Sequence, residues 1–308
     1  MDISIVIPRY NEEKNIILLA EEIKKELSTT TYSFEIIFVN DGSNDQSLEI
    51  LRKLILDEHN FIKCISLSRN FGHQVALSAG IKIAKGEIVI TMDGDLQHPP
   101  ALILDLISKY NEGYDIVNTI RIHNKNETAF KRMSSKGFYG IVNFLSEVHI
   151  EAASSDFRLM NRKTVNAFLE INEKDRFTRG LIGWIGFKQA FLPYIPNKRN
   201  AGITKYSFNK MLKFAFDGIT SFSSKPLRIS FYIGLIISFI SLIYGLFAIV
   251  SFFQGNNIPG WTSILISILF IGGIQLISIG IVGEYLARVY TQSKNRPLYL
   301  INEIIERK

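Results

Sequence analysis

The tripeptide Asp93-Gly94-Asp95 directly follows Ile88–Met92, an apolar run that reads as a buried strand. Side chains two apart on an extended chain point the same way, and Gly94 permits a turn, so both carboxylates can face one cation at the strand's carboxyl end. Hard oxygen ligands of this kind suit Mg²⁺ or Mn²⁺, and Gln97 adds an amide oxygen two residues on. The competing reading is a solvated turn. Asp41-Gly42-Ser43-Asn44-Asp45 follows the apolar run Glu35–Val39 in the same manner. It reads either as a turn leading into a helix N-cap or as a site where Asp41 accepts hydrogen bonds from a nucleotide's base or ribose. Pro8-Arg9-Tyr10-Asn11-Glu12-Glu13 ends the first apolar run and opens a helix, where Glu12 and Glu13 suit the helix dipole. Three such loops in register at one sheet edge outweigh any one alone.

The elements that must hold these loops alternate along the first 120 residues. Ile3–Ile7, Glu35–Val39, Ile62–Leu67, Ile88–Met92 and Asp115–Ile120 are rich in Ile and Val without clean alternation, as strands buried on both faces are. Between them run segments with three- and four-residue apolar spacing, such as Ile16, Leu19, Ala20, Ile23 and Leu27. The pattern predicts a doubly wound α/β domain with a largely parallel sheet, whose ligands bind at the carboxyl ends of the strands. Further strands are expected at Phe157–Asn161 and Phe187–Tyr194, and the basic loop Pro196–Lys205 faces an anion.

Charge divides the chain of 308 residues unevenly. Met1–Ile120 carries a net −7 and Arg121–Arg228 a net +11, within an overall +6. That asymmetry argues against a uniformly basic nucleic-acid binder and for a site that handles an anion beside a metal-binding carboxylate cluster. The single cysteine, Cys64, excludes an internal disulfide and a cysteine zinc site, and in its apolar run it reads as a buried thiol in a reducing compartment.

Residues Ile229–Gly283 contain no Asp, Glu, Lys, Arg or His. Ile229–Phe253 would be about 37 Å long as a helix, against a hydrocarbon core of about 30 Å. Trp261–Gly283 supplies a second span after a break with Gly255, Pro259 and Gly260. Two spans and a short turn make a hairpin, so both flanks lie on one side. The turn lacks Lys and Arg whereas both flanks carry them, which places the flanks in the cytoplasm. The apolar face of 207–228 predicts an amphipathic juxtamembrane helix, which lies in the membrane interface or packs on the soluble domain. Ile3–Ile7 is too short for a signal-peptide core, so membrane entry is expected from the C-terminal end. The expected domains are 1–206 (catalytic), 207–228 (juxtamembrane), 229–283 (two spans, 229–253 and 261–283) and 284–308 (cytoplasmic tail).

The segments IVIPRYNEE, FVNDGSND, SLSRNFGHQVALSAGI, ITMDGDLQHPP, SSDFRLMNR, AGITKYSF, SFSSKPLRI and GEYLARVYTQSKNRPLY resemble the family 2 glycosyltransferases of GT-A fold. The resemblance is closest to the polyprenyl-phosphate glycosyltransferases, which include dolichol-phosphate mannose synthase and bactoprenol glucosyltransferases, and it covers nearly the whole chain. It implies that Pro8, Tyr10, Glu12, Asp41 and Asp93 lie at the nucleotide. It further implies that Asp93, Asp95 and Gln97 hold a metal and the diphosphate, and that Asp156 faces the reacting sugar as base, orienting group or stabiliser of positive charge. Arg121, Arg132, Arg199 and Lys205 would hold the lipid phosphate and donor diphosphate. Position 9 departs from the family pattern, which has a smaller residue there. A charge at that place either touches the diphosphate or points into water.

The expected activity is inverting transfer of one hexose from a nucleotide sugar, UDP-glucose first, to undecaprenyl phosphate at the inner membrane. The expected partners are that donor, the polyprenyl phosphate and membrane lipids, with a homo-oligomer compatible but not required and no nucleic acid. Two rival readings are transfer to another lipid such as diacylglycerol and a non-catalytic membrane scaffold.

Overall fold

The computed structural model describes residues 1–57, 60–122, 154–174, 176–197, 220, 223–254 and 260–307. Eight strands form one mixed sheet: β1 (Ile3–Arg9), β2 (Phe34–Asn40), β3 (Ile62–Leu67), β4 (Ile88–Thr91), β5 (Ile116–Arg121), β6 (Ser154–Asn161), β7 (Gln189–Tyr194) and β8 (Ile301–Glu306). Their order is β7-β5-β6-β4-β1-β2-β3-β8. The β1, β2, β3 and β4 strands are mutually parallel, whereas β6 runs antiparallel to both β4 and β5. Helices α1 (Ile16–Leu27), α2 (Ser47–Asp57), α3 (His73–Ile83), α4 (Leu102–Asn111), α5 (Arg162–Glu170) and α6 (Thr178–Ile185) accompany it.

Every residue of β1 is buried, which is why its run of Ile and Val shows no alternation. One apolar layer joins Ile5, Ile7 and Phe38 to Leu19 and Ile23 of α1. The other joins Val6, Ile37 and Val39 to Ala76 and Ala79 of α3. Cys64 is buried in the first layer, and burial pushes its thiol up to about 12, where it stays protonated. The chain builds β2 and β3 on one side of β1 and then crosses to β4 on the other. The strand order therefore reverses at β1/β4, and in open α/β sheets the crevice beyond that reversal receives the ligand.

Beyond the sheet stand α7 (Lys225–Phe253) and α8 (Trp261–Ser293). Both contain stretches long and apolar enough to cross a membrane, with none of either stretch buried in the protein. Phe231, Leu235, Phe239, Leu276 and Ile279 are among their exposed side chains, and such a surface demands lipid. The chain is thus membrane-associated through a C-terminal helical hairpin.

Two boundaries differ from expectation. Lys225–Arg228 form the first turn of α7 rather than the end of a juxtamembrane element. The Lys225 amide donates to Ser223 Oγ (3.0 Å), and Pro226 sits in the first turn, where its missing N–H costs nothing. The remainder of the expected amphipathic helix lies outside the described residues apart from Thr220, Ser223 and Ser224. At the other end, α8 runs ten residues past Gly283, about 15 Å of helix. Residues 284–308 are therefore more than a tail. Gln292 accepts from the Lys174 amide (3.0 Å) and donates to the Asn172 carbonyl (2.8 Å), and β8 then pairs antiparallel with β3. Lys63 on β3 bridges the buried Glu35 (3.1 Å) and Glu306 of β8 (3.5 Å), and Arg52 pairs with Glu303. The hairpin is thereby fastened to the sheet at its rim.

Candidate functional site

The loops that follow β1 and β2 are tied to each other before they meet any ligand. Asn11 accepts from the Asn44 amide (2.9 Å) while its own amide donates to Ser43 Oγ (3.1 Å). Glu13 and Asp45 make a second exchange: the Gln46 amide donates to Glu13 (3.0 Å) and the Glu13 amide to Asp45 (3.2 Å). Tyr10 stands 41% exposed at the entrance to these loops, while Pro8 is buried within β1. Asp41 is only 2% exposed, and its two oxygens accept from the Phe71 (2.7 Å) and Gly72 (2.9 Å) amides. Burial nevertheless pushes its pKa up. In this position Asp41 fixes the loop that leads from β3 into α3.

Arg9 takes neither direction allowed by the sequence. It is 2% exposed, lies over the Phe38 ring and donates to the Glu12 (3.0 Å) and Asn15 (3.3 Å) carbonyls. Burial pulls the guanidinium down to about 10, against the carboxylates of Glu12, Asp95 and Asp45, so it stays charged at neutral pH. The turn at Gly94 rests on it: a Cβ there would lie 2.9 Å from Arg9 Nε and 3.1 Å from a Glu12 carboxylate oxygen. A larger residue there would have to displace the Arg9 or Glu12 side chain, and glycine permits the approach.

After β4 the chain turns through Leu96, whose φ of 61° is rare for a residue with a side chain. The Gln97 amide donates to Asp95 Oδ1 (3.1 Å). His98, fully buried, accepts from the Asp93 amide at Nδ1 (3.0 Å), lies 2.8 Å from Ser155 Oγ at Nε2, and stacks on Phe157. Burial pulls its pKa down, so a neutral ring braces the Asp93 turn from behind. Arg121 at the end of β5 donates from Nε to Tyr194 Oη (2.9 Å) and lies 3.7 Å from Asp93 Oδ2 and 3.5 Å from Gln97 Oε1.

Asp156 enters from β6, whose antiparallel course brings its first residues to the same edge. Thr91 Oγ1 donates to the Asp156 carbonyl (2.6 Å). The carboxylate, 5% exposed, receives Arg158 (3.1 Å), Arg179 (3.2 Å to each oxygen) and Gln74 (3.2 Å). Although burial favours the neutral acid, Arg179, His73 and Arg158 hold the group well below the usual carboxylate range. His73, the first residue of α3, stands between the two halves of the site, 3.3 Å from Asp93 and 3.6 Å from Asp156.

Burial opposes the charge on His73, yet Asp156 and Asp93 raise its pKa from 6.5 to about 9. A folded-state value above the ordinary one means that the stabilisation is complete below about pH 6.5 and is lost as pH rises through about 9. The ring is 41% exposed, so water screens the effect and the change is modest. The cation-free protein is expected to melt at a lower temperature at about pH 9.5 than at neutral pH, and His73→Gln should remove that component. Superimposable pH profiles for the two proteins would exclude a charged histidine.

Asp93, Asp95, Gln97, Arg121 and Asp156 thus converge, with Asp41, Tyr10 and Glu12 on the neighbouring loops. Arg132, Arg199 and Lys205 lie outside the described residues. His73, His98, Arg158, Arg179 and Tyr194 were not singled out from the sequence. Only His73 carried a usable signal, since it follows the β3 loop at the edge where chemistry is expected. Among the described residues no three His, Cys, Asp or Glu side chains form a protein cage for a cation. Asp93 and Asp95 nevertheless fit Mg²⁺ or Mn²⁺, because such ions take one or two carboxylates and leave their other positions to substrate oxygens and water.

Residues 4–169 match the profile of glycosyl transferase family 2, and residues 225–289 match that of the GtrB C-terminal hairpin. An uncharacterized glycosyltransferase of Synechocystis sp. is 45% identical, over 99% of this chain and 96% of that one. The putative glycosyltransferase CsbB of Bacillus subtilis is 42% identical, over 98% and 91%. The bactoprenol glucosyl transferase of Shigella phage SfV is 39% identical, over 98% of each.

Proposed function

The chain belongs to glycosyl transferase family 2, and from that premise we propose that it builds a lipid-linked sugar at the membrane. One hexose passes from a nucleotide sugar, UDP-glucose first, to undecaprenyl phosphate in the cytoplasmic leaflet, with inversion at the anomeric carbon. The observation that carries this reading is the union, in one chain, of a family 2 sheet with a membrane hairpin whose second helix returns to the sheet's own rim. The name of the 39% identical relative supports the acceptor and the glucose. Sidedness rests on Lys225, Arg228, Arg288, Lys294 and Arg296 beside the hairpin and on the lack of Lys and Arg in its turn.

The acceptor is a phosphate monoester with a second pKa near 6, so at neutral pH it is already mostly the dianion. One of its oxygens attacks the anomeric carbon, the bond from that carbon to the donor diphosphate breaks, and the nucleoside diphosphate leaves. No proton has to move, and Asp156, held ionised by its arginines, need not act as a base. A divalent cation held by Asp93 and Asp95, with Gln97, would supply neutralisation of the charge that grows on the leaving diphosphate. Arg121, fixed by Tyr194, faces the same end of the cleft. Tyr10, Glu12 and the loop fixed by Asp41 receive the nucleoside, with Pro8 shaping the strand end beneath them. Arg132, Arg199 and Lys205 are assigned to the phosphates by resemblance.

Membranes containing the protein, given a panel of labelled nucleotide sugars, are expected to form lipid-linked label only when undecaprenyl phosphate is present. The label should be greatest with UDP-glucose, lost with chelator and restored by Mg²⁺ or Mn²⁺. An acid-labile product marks a sugar phosphate, whereas an acid-stable glycoside would mark diacylglycerol as acceptor. Absence of lipid-linked label under every condition would overturn the proposal.

A further inference from the structure

Five charged side chains alternate along the cleft. Arg121 lies 3.7 Å from Asp93, Asp93 lies 3.3 Å from His73, His73 lies 3.6 Å from Asp156, and Asp156 holds Arg179 through two contacts of 3.2 Å. The Arg121 end adjoins the Asp93 and Asp95 loop, to which the donor diphosphate is assigned. Displacement with inversion brings the attacking and leaving oxygens to opposite faces of the sugar. A second phosphate therefore has to be received away from the first, and the end of this row opposite Arg121 offers a cationic group for it.

Arg179 occupies that end. Its Nε and Nη2 grip the two oxygens of Asp156, which fixes the plane of the guanidinium. Arg158 on the same carboxylate is 1% exposed, whereas the Arg179 side chain keeps 27% of its surface accessible. Arg179 is also the second residue of α6, so the positive end of that helix lies beside its backbone.

A separate observation concerns the direction from which a lipid arrives. The loop that leads into α6 is the segment clasped by α8, through Gln292 to the Asn172 carbonyl and from the Lys174 amide. Four residues separate Lys174 from Arg179 along the chain. Arg179 therefore follows closely in the chain on the segment that the hairpin's second helix clasps.

We propose that Arg179, held in place by Asp156, receives the phosphate of the lipid acceptor. The inference rests on the reading of the protein as a polyprenyl-phosphate glycosyltransferase. Asp156 is then a positioning residue that acts through Arg179. The site takes a phosphate monoester on an apolar tail, with the guanidinium fork on its oxygens.

The test uses the full-length protein in detergent micelles and measures binding of undecaprenyl phosphate directly, with no donor present. Arg179→Gln should weaken that binding about tenfold or more, as expected for the loss of one charged, two-point contact. Arg179→Lys should lose about half of that effect on a logarithmic scale, because it keeps the charge and loses the fork. UDP binding should change by less than about twofold in both. If Arg179→Gln loses UDP binding as well, its fold has failed and Arg179→Lys carries the comparison. Unchanged lipid-phosphate binding in a variant that still binds UDP would overturn the inference and leave the proposed activity standing. A wild-type protein that binds UDP but no undecaprenyl phosphate would overturn the activity and the inference together.

Discussion

Asp95→Ala is expected to reduce sugar transfer about a thousandfold or more while leaving expression and membrane insertion intact. Asp95 is partly exposed at the strand edge, outside both apolar layers, and accepts from the Gln97 amide. Its removal leaves Asp93 as the sole carboxylate of the pair. A rate loss of that size corresponds to about 4 kcal/mol of transition-state stabilisation, within reach of a cation that neutralises a leaving diphosphate. Because Asp95 also offsets the buried charge of Arg9, a small fall in melting temperature should accompany the loss. The decisive comparison is the dependence on added Mg²⁺ or Mn²⁺, in parallel with Asp45→Ala. Asp45 offsets the same arginine but belongs to the β2 loop. Substantial transfer by Asp95→Ala, or a dependence on added Mg²⁺ or Mn²⁺ no different from that of Asp45→Ala, would remove the metal role and leave only electrostatic support of Arg9.

The central strands were legible because a strand covered on both faces has to be largely apolar, and β1 to β4 meet that demand at most of their positions. Asp41, Asp93 and Asp95 were legible for a related reason, since each stands just past such a run, whereas Asp156, inside β6, was placed only by the family resemblance. Charge-free length made the hairpin legible too. β8 was not: Ile301-Asn302-Glu303-Ile304-Ile305-Glu306 is an edge strand, and its partner lies more than two hundred residues earlier. Nothing local announces a pairing at that separation. Arg179 was hidden similarly, because its partner Asp156 sits 23 residues away on an antiparallel strand and no fixed spacing links a strand start to a helix start. Arg9 shows a different limit. Its type and position were plain, but its direction was decided by Phe38 on the adjacent strand and by the carbonyls of residues 12 and 15.

Asp156→Asn is expected to lower turnover about a hundredfold or more, with donor affinity changed by less than about threefold. The substitution preserves shape but removes the one negative charge shared by Arg158, Arg179 and His73. Breaking a buried pair by neutralising one partner typically costs about 3–5 kcal/mol, and Arg158, fully enclosed, bears most of that cost, so the melting temperature should fall as well. Turnover loss alone would fit a general base equally, and the pH dependence separates the two roles. If the acceptor dianion is the nucleophile, the acid limb of the rate against pH follows the acceptor's own ionisation near about pH 6 and persists, lowered but unmoved, in Asp156→Asn. If Asp156 took a proton in the rate-limiting step, that limb would vanish or shift when the carboxylate is replaced. The environment of Asp156 favours the first outcome, because two arginines and a histidine keep the group ionised far below the pH at which the enzyme works. An isolated fall in donor affinity, with turnover preserved, would contradict both roles and place Asp156 at the donor instead.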